Sequence, residues 1–208
     1  MTNEYGPHAS ACAFPETADI ETATAEYAGR FSGPTGQWLL NVQADGLRKS
    51  LKDLGPGRAL DVGGGHAQTA PVLAECGLTP LVTGSAESCA ERLPAGTEFV
   101  LADHLALPFE DQSFEAVISF RLLPHCERWR ELIPELCRVA KHRVVVDYPA
   151  RVSVNLLAES LFSLKKNVEK TPGPSPCFHI AKSGRPSRRR ASRCAVTPSF
   201  SGRWCCTA

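Results

Sequence analysis

Residues Ala59–His66 read Ala-Leu-Asp-Val-Gly-Gly-Gly-His, and they constrain the fold more than any other stretch of the chain. An apolar strand ends in an acid and three glycines, and Ala67–Cys76 follows with helical character. Glycine lets the backbone turn sharply and lets a ligand approach it closely. A strand, a glycine turn and a helix N-terminus together form the nucleotide crevice of open α/β sheets.

The surrounding pattern supplies such a sheet. Ala59–Val62, Pro80–Gly84, Glu98–Ala102, Ala116–Phe120 and His142–Tyr148 read as strands. Ala67–Cys76, Glu87–Leu93, Trp129–Val139 and Val152–Lys166 read as helices. Strands alternating with helices imply a mostly parallel sheet with right-handed crossovers. Ahead of it, Ile20–Arg30 and Gln37–Leu54 read as helices, separated by Phe31-Ser-Gly-Pro-Thr-Gly36 and closed by Gly55-Pro-Gly57. The expected organisation is a helical lid or cap over residues 1–54, an α/β core over 55–170 and a separate tail over 171–208.

Composition excludes several classes. Hydrophobic residues make up 43% of 208, which suits a globular core. No run approaches the length of a membrane span. The N-terminus carries Glu4, Glu16, Asp19 and Glu21 and does not read as a signal peptide, so a cytoplasmic location is the default expectation. Cys12, Cys76, Cys89, Cys126 and Cys137 show no paired metal spacing, and no metal is expected.

The glycine turn narrows the ligand. A dinucleotide fingerprint needs Gly-x-Gly-x-x-Gly. Gly63 and Gly65 fit, but Gln68 stands at the third position. The pair of segments Leu60-Asp-Val-Gly-Gly-Gly-His66 and Ala102-Asp-His-Leu-Ala-Leu-Pro-Phe-Glu-Asp-Gln-Ser-Phe-Glu-Ala-Val-Ile-Ser119 instead resembles the class I S-adenosylmethionine-dependent methyltransferases. The likeness is greatest to the branch of the ubiquinone and menaquinone methyltransferases.

That resemblance implies a Rossmann-like sheet of order 3-2-1-4-5 flanked by helices, and S-adenosyl-L-methionine as cofactor. It implies that Gly63, Gly64 and Gly65 border the methionine and ribose, with His66 following them. Asp61 would take the ammonium or order the turn. Asp103 would accept from the adenine amino group, with the His104 amide beside the ring. Ser119 would end the fourth strand near the sulfonium. Tyr27 and Phe31 would belong to the N-terminal lid, where aromatic faces suit a cation. His125, in Arg121-Leu-Leu-Pro-His125, is the candidate catalytic base for an acceptor that must lose a proton.

One departure concerns the ribose. The family ends its second strand in an acid, whereas Val82-Thr-Gly-Ser-Ala-Glu87 brings Ser85 to that point, with Glu87 as a substitute if the turn is shorter. Loss of a charge-assisted hydrogen bond costs about 1.5–3 kcal/mol.

The tail is a second departure. Residues 171–208 carry Lys182 and six arginines with no acid, while the preceding residues carry a net charge of −6. Neither helical nor strand periodicity is visible, so the last strand pair of such a sheet is expected to be missing. The segment reads as a disordered basic arm or as a frameshifted C-terminus. In the shifted frame Trp204–Cys205 specifies Val and Cys205–Cys206 specifies Leu.

The expected function is methyl transfer to a small-molecule acceptor, by O- or C-methylation of an aromatic, quinone-like or lipid-like compound. The alternatives are an inactive remnant that still binds the cofactor, and a nucleic-acid-binding protein using the basic tail. A nucleic-acid partner is the less favoured of these.

Overall fold

A computed structural model describes residues 14–147 and the backbone of two strands near the C-terminus, Ala195–Pro198 and Arg203–Thr207. The elements in chain order are α1 (Ala18–Thr22), α2 (Ala25–Gly29), α3 (Pro34–Leu51), β1 (Gly57–Val62), α4 (Ala70–Glu75), β2 (Leu78–Gly84), β3 (Glu98–Leu101), β4 (Phe114–Ser119), α5 (Trp129–Val139), β5 (Ala140–Asp147), β6 (Ala195–Pro198) and β7 (Arg203–Thr207). They form one sheet of order β3-β2-β1-β4-β5-β7-β6. The first five strands are parallel, in the expected order 3-2-1-4-5.

Strands β1, β2, β4 and β5 are buried on both faces, and alternate residues feed two separate cores. In β5, Val144 and Val146 join Leu60, Leu81 and Val117 under Leu132, Leu136 and Val139 of α5. Val145 points the other way, joining Ala59 and Ile118 under Leu47 and Leu51 of α3 and Leu73 of α4. This is the period-2 logic of a strand between two helical layers. In α5 the buried residues Leu132, Leu136 and Val139 fall one turn apart on one face. Pro34 in the first turn of α3 is favourable, because no intrahelical acceptor exists there for an N–H.

Two expectations are corrected. The helix expected over Glu87–Leu93 is a single 3-10 turn, Glu87–Ala90. More consequentially, the last strand pair is present. β7 lies antiparallel to β5, with Val145 opposite Cys205, and β6 lies antiparallel to β7. Both strands are short and set in an Arg-, Ser- and Cys-rich context, so they left no alternation long enough to register. With β7 in place, the apolar Val144–Val146 segment is not an open edge, which would otherwise be a template for aggregation. The helix expected over 152–166 and the basic run over 171–194 lie outside the described residues. Among the described residues, no helix is long and apolar enough to cross a membrane.

Candidate cofactor site

The site gathers at the C-terminal ends of β1, β2, β3 and β4, where ligands bind in open α/β sheets. β1 runs into the glycine turn. Gly63 has a φ of +73°, which disfavours any residue with a Cβ, and its N–H donates to the Thr83 carbonyl at the end of β2, 3.0 Å away. A Cβ on Gly64 would stand 2.3 Å from the Asp61 carboxyl carbon. The second glycine therefore makes room for the acid that precedes it.

Asp61 is 2% exposed, and its Oδ2 accepts from the Thr69 hydroxyl at 2.5 Å. Burial pushes its carboxyl up to about 6, against the opposing effect of the Thr69 hydrogen bond. The carboxylate thus orders the turn by tying β1 to the residue before α4.

The N-terminal segment covers this turn. Asp19 of α1 is fully buried. Its Oδ2 accepts from the Ser85 N–H at 2.7 Å and from the Cys89 thiol at 3.2 Å, and its Oδ1 accepts from the Ser85 hydroxyl. His104 Nε2 lies 3.7 Å from Asp19 Oδ2. Burial and the neighbouring Asp19 push the Cys89 thiol up to about 12. A Cβ on Gly65 would stand 2.6 Å from the Ala23 Cβ, so the residue that caps α1 packs directly on the glycine turn. His66 Nε2 donates to the Thr22 carbonyl, 3.1 Å away, and burial lowers the His66 pKa. A few residues earlier, Glu16 accepts from the Arg128 N–H at the start of α5, 2.6 Å away.

Ser85 does follow β2, but its donors are already taken by Asp19. Glu87 opens the 3-10 turn and is exposed. No acid stands on the β2 end itself. A carboxylate is nevertheless there in space, brought by Asp19 from the other end of the sequence.

Two buried groups in this crevice lack partners. Thr83 Oγ1 and both ring nitrogens of His104 have no hydrogen-bond partner among the described residues. Burial lowers the His104 pKa and keeps the ring neutral. Orphaned buried polar atoms are rare and call for a ligand or a water. Asp103 Oδ1 accepts from the Leu105 N–H at 2.8 Å, so this carboxylate shapes its own turn.

The segment after Asp103 is clipped to α5. Arg138 donates to the carbonyls of Leu107 and Phe109 at 2.9 and 2.7 Å, and pairs with Asp111 and Glu135. The Leu107 N–H donates to Glu135 Oε1 at 2.6 Å. The Arg138 guanidinium holds the Glu135 carboxyl below its usual range. The Leu107–Phe114 motif is therefore a structural clamp that fixes the loop carrying Asp103 and His104, and Asp111 is ion-paired within it.

At the β4 end, Ser119 is fully buried and its hydroxyl donates to the Val62 carbonyl at 3.1 Å, tying β4 to β1. His125 ends a short 3-10 turn, Leu123–His125. Its ring meets the Tyr27 ring edge-on with centroids 6.3 Å apart, and Tyr27 meets Phe31 at 5.8 Å. Arg30 lies over the Tyr27 ring at 4.8 Å. Burial raises the Tyr27 pKa. Leu122 is buried core and faces Gly63.

The structure thus brings Asp61, Gly63, Gly64, Gly65, His66, Ser85, His104 and Asp19 into one crevice, with Tyr27 and His125 paired beside β4. Sequence reasoning missed Asp19, Glu16, Thr83 and Arg121. Asp19 and Glu16 sit in a polar, irregular stretch, and no local pattern distinguishes them from its other acids.

A family model described as a methyltransferase domain matches residues 60–146. Among solved structures, a protein from Pyrococcus horikoshii superposes with a TM-score of 0.52 at 20% identity, covering 71% of this chain and 67% of that one. One from Methanococcus maripaludis, provisionally described as an S-adenosyl-L-methionine-dependent methyltransferase, gives 0.50 at 13% identity and covers 74% of each chain. Against others, among them proteins of Anabaena variabilis and Bacillus subtilis, this chain spans about 60% of their length. No curated protein sequence matches. The matched segment contains the glycine turn, the Leu107–Phe114 clamp and strands β2 to β4, and it holds the parallel order that the superposed folds share. Residues 60–146 are thus similar to a methyltransferase domain, and the sheet they build has the parallel order of the class I, Rossmann-like fold.

Proposed function

We propose that the chain transfers a methyl group from S-adenosylmethionine to a small-molecule acceptor. The observation that carries this reading is the crevice itself. A glycine turn shaped by Asp61 lies at the same end of the sheet as buried, unpartnered polar atoms on Thr83 and His104. These groups fit a ligand with several hydrogen-bonding atoms, such as a nucleoside.

In this reading the Gly63–Gly65 backbone would border the methionine and ribose. Thr83 and His104 would meet the nucleoside, and Asp103 would accept from its amino group through the carboxylate edge not engaged with Leu105. Tyr27 and Phe31 would present aromatic faces to the sulfonium. The bound cofactor would supply an activated methyl group for in-line displacement, leaving the protein to position the reactants and exclude water. His125 would take the acceptor's proton on an imidazole nitrogen where deprotonation is needed. The pairing of His125 with the Tyr27 ring favours a planar, aromatic or quinone-like acceptor, methylated on oxygen or carbon.

A second reading is a cofactor-binding domain without turnover, favoured by the β2 end, where Ser85 stands in place of an acid and is engaged by Asp19. Calorimetric titration with S-adenosylmethionine tests binding for both. Transfer of labelled methyl to any compound in a metabolite extract then separates them. Binding with labelled product supports the enzyme, and binding with no labelled product supports the inert domain.

A further inference from the structure

Arg121 stands just past β4 in a conformation that its side chain does not favour. Its φ is +63°, unusual for a residue with a Cβ. The Arg121 N–H donates to Asp147 Oδ1 at 2.5 Å, which holds the backbone there, and Gln43 Nε2 donates to Asp147 Oδ2 at 2.7 Å. Strain of this kind persists only where the surrounding structure imposes it, and it clusters at ligand sites.

The guanidinium packs against the N-terminal aromatic residues. It lies over the Phe31 ring, 4.7 Å from the centroid. Its charge bears on Tyr27, Asp61 and His66, three of the residues around the turn. Arg121 Nη1 is buried and has no hydrogen-bond partner among the described residues. A buried charged donor without an acceptor is unfavourable, and a structure retains it where a ligand completes it. Phe31 offers the guanidinium a ring but no acceptor, so Nη1 is left for an acceptor from outside these residues. A carboxylate matches a guanidinium edge with two parallel hydrogen bonds.

Resting on the methyltransferase reading, we infer that Arg121 is a carboxylate receptor at the β4 end of the crevice, completed by the α-carboxylate of the cofactor or by a carboxylate on the acceptor. Neither nearby acid substitutes for that ligand. Asp61 is hydrogen-bonded to Thr69, and Asp147 receives the backbone rather than the Nη1 edge.

The test uses the full chain with Arg121→Gln and Arg121→Lys. Each protein is titrated calorimetrically with S-adenosylmethionine and with its decarboxylated form. Each is also titrated with benzoate and benzamide in the presence of S-adenosylhomocysteine. Arg121→Gln is expected to lose about 10- to 100-fold in affinity for a carboxylate-bearing probe and nothing for its neutral counterpart, with Arg121→Lys recovering part of the loss. A loss confined to S-adenosylmethionine assigns the cofactor's carboxylate, and a loss confined to benzoate assigns the acceptor's. Unchanged affinity of Arg121→Gln for both carboxylate probes overturns the inference, as does an equal loss on the neutral ones. So does unchanged cofactor affinity where the wild-type chain takes no benzoate. A wild-type chain that binds neither form of the cofactor removes the methyltransferase reading and this inference with it. Circular dichroism of each variant guards against misfolding.

Discussion

The Asp19 carboxylate receives both the N–H and the hydroxyl of Ser85, joining the N-terminal helix to the end of β2 across 66 residues of sequence. This contact closes the crevice. Ala23, which caps the same helix, stands against Gly65, while Gly64 and His66 remain half-buried. A ligand that enters beside Gly65 must displace these contacts, so their strength opposes binding. Apparent affinity falls in proportion to the fraction of molecules that are open.

Replacing Asp19 with Asn or Ala is expected to weaken the closed state. The Ser85 donors lose their charged acceptor, at a cost of about 1–3 kcal/mol in ligand-free stability. S-adenosylmethionine should then bind about 5- to 150-fold more tightly, since the contact that opposes its entry is weakened. Thermal unfolding and calorimetry measure the two effects. Weaker binding by both variants would instead make Asp19 a cofactor contact.

Asp61 predicts a pH dependence of unusual sign. Its carboxyl rises from 3.8 to about 6 on folding, so between those values the folded chain binds more protons than the unfolded one. Its contribution to stability is fully present below pH 3.8 and is lost as pH rises through about 6. Asp61→Asn removes the ionised, buried state. It should stabilise the protein at pH 8 by up to about 3 kcal/mol relative to wild type, with the advantage vanishing near pH 4. Urea unfolding at the two pH values measures it. Equal stability at pH 8 would show that the carboxylate is better solvated than its burial implies.

The glycines of the turn separate two mechanisms. Gly64→Ala drives a Cβ into the Asp61 carboxyl group, 2.3 Å away, and should destabilise the fold by about 1–3 kcal/mol. Gly65→Ala meets the Ala23 Cβ and Cα, at 2.6 and 3.2 Å, where the chain leaves α1, and more distantly the Cys89 carbonyl. It should loosen α1 with a smaller change in global stability. Thermal melts report the first effect. Limited proteolysis at Arg30 reports the second, with faster cleavage expected for Gly65→Ala.

How much of this was legible follows residue by residue. The strand–turn–helix at Asp61–His66 and the parallel order were readable because glycine and buried β-strands leave local signatures. The Leu107–Phe114 segment was recognisable as a motif, but its work was not. Its ion pair with Arg138 joins residues distant in sequence, which periodicity does not report. Asp19 was hidden for the same reason, since nothing in its own neighbourhood requires an acid to reach β2. The β6–β7 pair was missed because strands of 4 and 5 residues carry too little alternation to outweigh a composition poor in core formers. Ser85 drew attention as a ribose partner by its position after β2, but in the folded chain it is a donor to Asp19.

Hydrogen exchange of the wild-type chain, with and without S-adenosylmethionine, tests most directly whether the cofactor enters this crevice by displacing α1. Added cofactor should speed exchange of the Thr22 and Ala23 amides while slowing it at Gly63–His66 and Ser85–Cys89. Unchanged exchange in all three segments at saturating cofactor would contradict it.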